Sequence, residues 1–258
     1  MAAILLDVDG VLHVSGEPIP GAVDAVRQLR AAGHRVRFVT NSTTMSRKQL
    51  GDVLRGMGFV LDDDELQTTG SVAARVLKGK RVLALTMPGI LDDLEGLELI
   101  GMNADAVLVG GCDEGEEPGR VFSYLNLNRA FLEFEAGAEL YCLHKNRWWQ
   151  TVDGPKLDAG AFVAGLEYAS GAEATVLGKP SPEYFAAALE AIDADPELAW
   201  MVGDDIEGDV VGAQRHGMRT VLVRTGKFRP DEVEQSGVVP DGIISSVAQL
   251  PDWLESNP

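Results

Sequence analysis

Near the start of the chain the run Ile4-Leu5-Leu6 is apolar without alternation and ends on two aspartates one residue apart, Asp7 and Asp9, with Gly10 following. A strand that is apolar on both faces needs cover on both faces, as in a parallel sheet sandwiched between helices. The construction returns late in the chain, where Leu198 to Val202 runs through Gly203 into Asp204. Around these two runs the periodicity predicts strands at 35–40, 219–223 and 242–244. It predicts helices from Gly21 to Gly33, over 46–57, near 71–78, over 183–192 and 208–216, and over 246–254. Strands alternating with helices imply an α/β fold built on a Rossmann-like parallel sheet.

The middle reads as a domain of its own, inserted into the outer one. Strands are expected at 81–86, 105–109, 139–143 and 148–152, with helices near 88–95, 118–136 and 158–170. This divides the chain into an outer domain, 1–79 with 173–258, and an inserted α/β domain, 80–172. A length of 258 residues with 45% hydrophobic content supports cores for both.

Several function classes are disfavoured by composition. A net charge of −18 is a poor match for nucleic acid or an anionic membrane and suits a solvated acidic surface. Cys112 and Cys142 are the only cysteines, too few for a disulfide framework or a zinc site, and are expected to be small buried residues. The N-terminal MAAILLDVDG lacks a basic region and its apolar run stops at Asp7, so it does not read as a signal peptide. No apolar run approaches the ~18 residues of a membrane helix. The expected location is a reducing cytoplasm.

In an open parallel sheet, ligands bind at the carboxyl ends of the strands. Four polar clusters are expected at strand ends or helix starts: Asp7-Val8-Asp9, Thr40-Asn41-Ser42, Gly178-Lys179-Pro180, and Gly203-Asp204-Asp205 with Asp209 following. Each alone is ordinary: a DxD is commonly a turn or cap, TNS a helix start, GKP a surface lysine. Together they bear chemistry. Clustered carboxylates repel one another and are driven to protonate unless a hard divalent cation such as Mg²⁺ sits among them. Lys179 with the Thr40 and Asn41 donors supplies a socket for an anion. Carboxylates, metal, lysine and hydroxyl donors fit phosphoryl transfer. Two aspartates at i and i+2 can then divide the labour, one as nucleophile, the other as general acid and base.

The segments "DVDGVL", "FVTNST", "GKPSPEYF" and "MVGDDIEGD" resemble the four motifs of the haloacid dehalogenase (HAD) superfamily of aspartyl phosphatases. The long insert between the second and third resembles the subfamily IIA branch, the NagD-like phosphatases with a C2-type cap. "GEPIPGA", "LEYASGAEATVLGKPSPEYF" and "RTVLVRTGKF" resemble the members grouped with phospholysine/phosphohistidine inorganic pyrophosphate phosphatase. The resemblance implies that Asp7 is the nucleophile, Asp9 the acid and base, and that Asp7, the Asp9 carbonyl and Asp204 hold Mg²⁺. It implies that Thr40 and the amides of Asn41 and Ser42 bind the phosphoryl oxygens, that Lys179 pairs with Asp7 and the phosphoryl group, and that Asp205 and Asp209 orient the metal shell. It implies a catalytic core of 1–79 and 173–258 and a C2 cap of 80–172, through which a homodimer is expected.

The expected activity is Mg²⁺-dependent hydrolysis of small phosphorylated metabolites, with no nucleic acid or membrane partner. Hydrolysis of pyrophosphate or phosphoramidates is the alternative, and a phosphate-binding protein without turnover a third. The dehalogenases lack an aspartate at the position of Asp9, the transport ATPases carry threonine there, and no P-loop motif is present. The segment "HKNRWWQ", 144–150, is rich in basic and aromatic residues and reads either as an amphipathic edge strand or as a surface facing substrate or partner. His13 reads as structural.

Overall fold

The computed structural model describes residues 1–111, 120–151 and 154–257. Cys112 and most of the acidic loop 110–119 lie outside the described residues, as do the side chains of Trp148 and Trp149. The chain divides into two compact units. One comprises Met1–Thr40, Lys48–Gln67 and Lys179–Pro258; the other comprises Asn41–Arg47 and Thr68–Gly178. The seams at Thr68 and Lys179 differ from those expected at 80 and 173, and the short segment Asn41–Arg47 belongs with the second unit.

The first unit is built on a six-stranded sheet in the order Gly242–Ile244, Arg219–Val223, Ala199–Gly203, Ala3–Asp7, Arg35–Val39, Leu66–Gln67, every pairing parallel. Ala3–Asp7 is buried throughout, as its unbroken apolar run requires. From it the chain passes to Arg35–Val39 on one side, while Ala199–Gly203 flanks it on the other. The strand order therefore reverses beside Ala3–Asp7, where an open sheet offers a ligand crevice. The helix Ala22–Ala31 buries Ala22, Ala25, Val26 and Leu29, an i, i+3, i+4, i+7 stripe. Against the sheet Ala22, Val26 and Leu29 join Ile4, Leu6, Phe38, Trp200, Val202 and Val221 in one core. Trp253 on the last helix meets Trp200 edge to face at 5.2 Å, and the Arg219 guanidinium covers Trp200 at 4.1 Å.

The second unit carries its own parallel sheet in the order Thr175–Val176, Glu139–Cys142, Ala106–Gly110, Arg81–Thr86, Glu98–Leu99. The helices Tyr124–Glu135 and Ala159–Ser170 are N-capped by Ser123 and Asp158. Phe122 and Phe162 stack at 4.1 Å over a core that includes Leu83, Val107, Leu140 and Val163. Cys142 lies in that core, and burial pushes its thiol up to about 12. Lys145 to Arg147 precede an antiparallel hairpin, Trp148–Thr151 with Gly154–Leu157. His144 is buried, with Nε2 3.3 Å from Thr43 Oγ1 and 3.6 Å from Asp158 Oδ1, so the start of "HKNRWWQ" is an internal polar contact rather than part of an edge strand.

Candidate active site

Three neighbouring strands of the first sheet end together. In register, Asp7 pairs with Val39 and Leu6 with Val202, which sets Asp7, Thr40 and Asp204 along one carboxyl edge. Lys179 reaches the same edge from the segment before the helix Pro182–Ala191, which Ser181 caps and Pro182 opens. Asp209 sits in a π-helical turn, Ile206–Val211, whose start is fixed by the Asp205 side chain accepting from the Glu207 and Gly208 amides at 3.0 and 2.9 Å. A π turn inside a helix is a rare device and recurs at functional sites. The reading of 208–216 as a plain helix misses it, because one extra residue in a turn leaves no mark on a short apolar pattern.

Lys179 Nζ donates to Asp7 Oδ1 and to Asp209 Oδ1, each at 2.6 Å. The side chains are almost sealed, 4% exposed for Lys179, 8% for Asp7 and 1% for Asp209. The second oxygen of Asp209 accepts from the amides of Asp204 and Asp205, both at 3.1 Å. Asp204 Oδ2 accepts from the Lys227 amide at 2.6 Å. Gly10, at φ 85°, is needed beside it, since a Cβ there would lie 1.9 Å from Asp204 Oδ2.

The electrostatics are out of balance. Burial pushes the Asp7 carboxyl well up, Lys179 partly offsetting it and Asp209, Asp204 and Asp9 adding to it. Burial and then Asp209 push Asp204 up to about 7. Burial opposes the charge on Lys179, but Asp209 and Asp7 outweigh it, so the lysine stays an ammonium. Asp205 goes the other way: its burial penalty is overcome by the Gly208 amide and Lys227, which hold it below the usual carboxylate range.

Oxygens of Asp7, Asp204 and Asp209 lie within 4.8 Å of one another. Asp209 has both oxygens engaged, whereas Asp204 Oδ1 is buried with no hydrogen-bond partner among the described residues. Three carboxylates facing one ammonium, with one orphaned oxygen, fit a hard divalent cation in number, charge and chemistry.

Asp9 stands apart from this cluster. Its side chain is 56% exposed, with Oδ2 accepting from Thr40 Oγ1 at 3.3 Å. Asn41 and Ser42 directly follow Thr40 but fall in the second unit. Asp205 pairs with Lys227 Nζ at 3.4 Å. Two residues at this edge escape a motif reading. Lys227 meets Asp204 through its backbone and Asp205 through its ammonium. Tyr184, fully buried, accepts from the Thr40 amide at 2.7 Å and points its hydroxyl at the Thr40 and Gln67 carbonyls, 2.9 and 3.0 Å away. Both lie within segments quoted above, but a lone lysine and a helix tyrosine give no signal until the strands are assembled.

Similarity to known proteins agrees with this geometry. The family described as haloacid dehalogenase-like hydrolase matches residues 4–100, and a second, HAD-hydrolase-like, matches 176–250. Phospholysine phosphohistidine inorganic pyrophosphate phosphatase of Xenopus laevis is 41% identical over 98% of this chain and 94% of its own. A p-nitrophenyl phosphatase from Archaeoglobus fulgidus superposes with a TM-score of 0.89 at 26% identity, covering 98% of each chain. NagD from E. coli superposes with a TM-score of 0.86 at 25% identity, over 96% of this chain and 98% of that one. The chain belongs to the haloacid dehalogenase-like hydrolases, in their NagD-like, subfamily IIA branch.

Proposed function

We propose that the chain is a Mg²⁺-dependent phosphatase that hydrolyses small phosphomonoesters through an aspartyl-phosphate on Asp7. The observation that carries this reading is Lys179 bridging Asp7 and Asp209 at 2.6 Å, beside a buried Asp204 oxygen that lacks a hydrogen-bond partner among the described residues. Asp7, the Asp9 carbonyl and Asp204 would hold Mg²⁺, with Asp205 and Asp209 orienting its shell; the ion supplies charge neutralisation at the phosphoryl oxygens. Thr40 and the amides of Asn41 and Ser42 bind those oxygens, and Lys179 offsets part of the burial penalty on the Asp7 carboxylate and aims it.

The Asp7 carboxylate attacks phosphorus as the ester P–O bond breaks, and the departing oxygen takes a proton from Asp9. Asp9, now a carboxylate, takes a proton from water. That water attacks the aspartyl-phosphate, releasing inorganic phosphate and restoring Asp7. The exposure of Asp9 suits a group that exchanges protons with water in each cycle.

The second unit acts as the C2 cap that selects the leaving group, and the protein forms a homodimer through it in the cytoplasm. A monomer in sedimentation at micromolar concentration contradicts the dimer. Hydrolysis of p-nitrophenyl phosphate with and without Mg²⁺, by wild type and Asp7→Asn, tests the activity; turnover by the variant contradicts the nucleophile. A second reading, hydrolysis of P–N or P–O–P bonds, is favoured by the name of the Xenopus laevis relative. Pyrophosphate and imidodiphosphate test it, and absence of phosphate release from both ends it.

A further inference from the structure

Asp9 and His13 are joined by a tight turn. They form a β-bridge, Gly10 N donates to His13 O at 2.8 Å, and Leu12 N donates to Val8 O at 2.9 Å. The turn buries His13 to 8% exposure and brings its Nε2 to 3.7 Å from Asp9 Oδ1. Neither ring nitrogen of His13 has a hydrogen-bond partner among the described residues. A buried imidazole left in that state costs free energy, so its position calls for a reason. The other Asp9 oxygen, Oδ2, is already taken by Thr40 Oγ1. Each oxygen of the exposed carboxyl thus has its own neighbour on a rigid element, the turn on one and the end of the Arg35–Val39 strand on the other.

At 3.7 Å the His13 contact is longer than a hydrogen bond. A shift of under ~1 Å closes it, and catalytic hydrogen bonds commonly tighten when substrate binds. We propose that His13 is a positioning residue for Asp9, its Nε2–H holding the carboxyl in the orientation from which Asp9 protonates the departing oxygen. The inference rests on the reading of Asp9 as proton donor. As the Asp7–P bond forms, the electron pair of the breaking P–O bond goes to the departing oxygen, which takes the Asp9 proton. His13 keeps its own proton throughout and touches no reacting atom.

Leaving-group dependence separates positioning from mere packing. p-Nitrophenolate departs with little help from an acid; an alkoxide does not. The test compares p-nitrophenyl phosphate with an alkyl monophosphate turned over by the wild type, such as β-glycerol phosphate, in His13→Phe, which keeps bulk without a donor, and His13→Gln, which restores an N–H. In His13→Phe, kcat on the alkyl ester is expected to fall ~10- to 100-fold and on the aryl ester less than ~3-fold, with KM little changed and most of the loss recovered by His13→Gln. Equal losses on both esters, no loss, or no recovery in His13→Gln would overturn the proposal. If His13→Phe fails to fold by circular dichroism, His13→Asn, whose shorter amide falls short of Asp9, takes its place with the same outcomes. Asp9→Asn and Asp7→Asn run in parallel. If Asp9→Asn shows no leaving-group split, the assignment of Asp9 fails, and if Asp7→Asn stays active, the phosphatase mechanism fails; either is distinct from a failure confined to His13.

Discussion

The carboxylate of Asp209 fills the space where a side chain on Gly203 would be: a Cβ at Gly203 would lie 2.0 Å from Asp209 Oδ2 and 2.3 Å from its Cβ. Asp209 cannot step aside, because one oxygen holds Lys179 and the other the amides of Asp204 and Asp205. Gly203→Ala is therefore expected to destabilise by ~2 kcal/mol or more and to abolish most activity, since overpacking here displaces the group that orients Lys179. Urea melts and phosphate release check it; a variant of wild-type stability would show that Asp209 is free to move.

Removing Lys179 takes from Asp7 and Asp209 the ammonium that donates to both, and leaves them facing Asp204. Lys179→Met is expected to lose ~100-fold or more in kcat. Lys179→Arg is not expected to rescue it, because a planar fork cannot replace a point charge bonded to two carboxylates at 2.6 Å in a sealed space. Steady-state kinetics of both variants decide the point.

The pH dependence of stability follows from Asp204. Its carboxyl is pushed from an ordinary 3.8 up to about 7 in the metal-free protein, chiefly by burial and then by Asp209. Asp7 is raised in the same sense. The folded chain then keeps protons that the unfolded chain has released, so metal-free stability falls as pH rises between those two values. Thermal melts with a chelator are expected to show the midpoint dropping from about pH 5 to about pH 8, and Mg²⁺ to raise it more at the higher pH, where it no longer competes with protons. A Mg²⁺ shift of equal size at both ends would contradict a metal seated among these carboxylates.

Tyr184→Phe deletes the hydroxyl that joins the Thr40 amide to the carbonyls of Thr40 and Gln67. With those groups buried, the expected cost is ~1–3 kcal/mol, with a rise in KM because the Thr40 backbone is then held at its amide by the Gln67 carbonyl without the hydroxyl. Calorimetry and KM for p-nitrophenyl phosphate read the two effects.

Much of this arrangement is legible in the chain. The apolar runs ending at Asp7 and Asp204 give the central strands, and the alternation around them gives the parallel sheet. That Asp7, Lys179, Asp204 and Asp209 meet follows from strand ends sharing an edge; what each does there is a matter for kinetics. Other parts leave little trace. Leu66–Gln67, Glu98–Leu99 and Thr175–Val176 are strands of two residues, too short for any periodicity. The seam at Thr68 is invisible because the helix Thr69–Val76 carries the same amphipathic pattern whichever unit it joins. The contacts of Tyr184 and Lys227 depend on tertiary distances that residue types do not encode, and the approach of His13 to Asp9 depends on the turn that follows Val8.

The central claim is that Asp7 carries the phosphoryl group. Acid-quenching the enzyme during turnover of p-nitrophenyl phosphate with Mg²⁺, followed by peptide mapping, measures it directly. The expected result is an acyl phosphate on the peptide containing Asp7, absent from Asp7→Asn, which also releases no phosphate. Phosphate release by Asp7→Asn at the wild-type rate, or a phosphoryl group on another residue, would contradict the account.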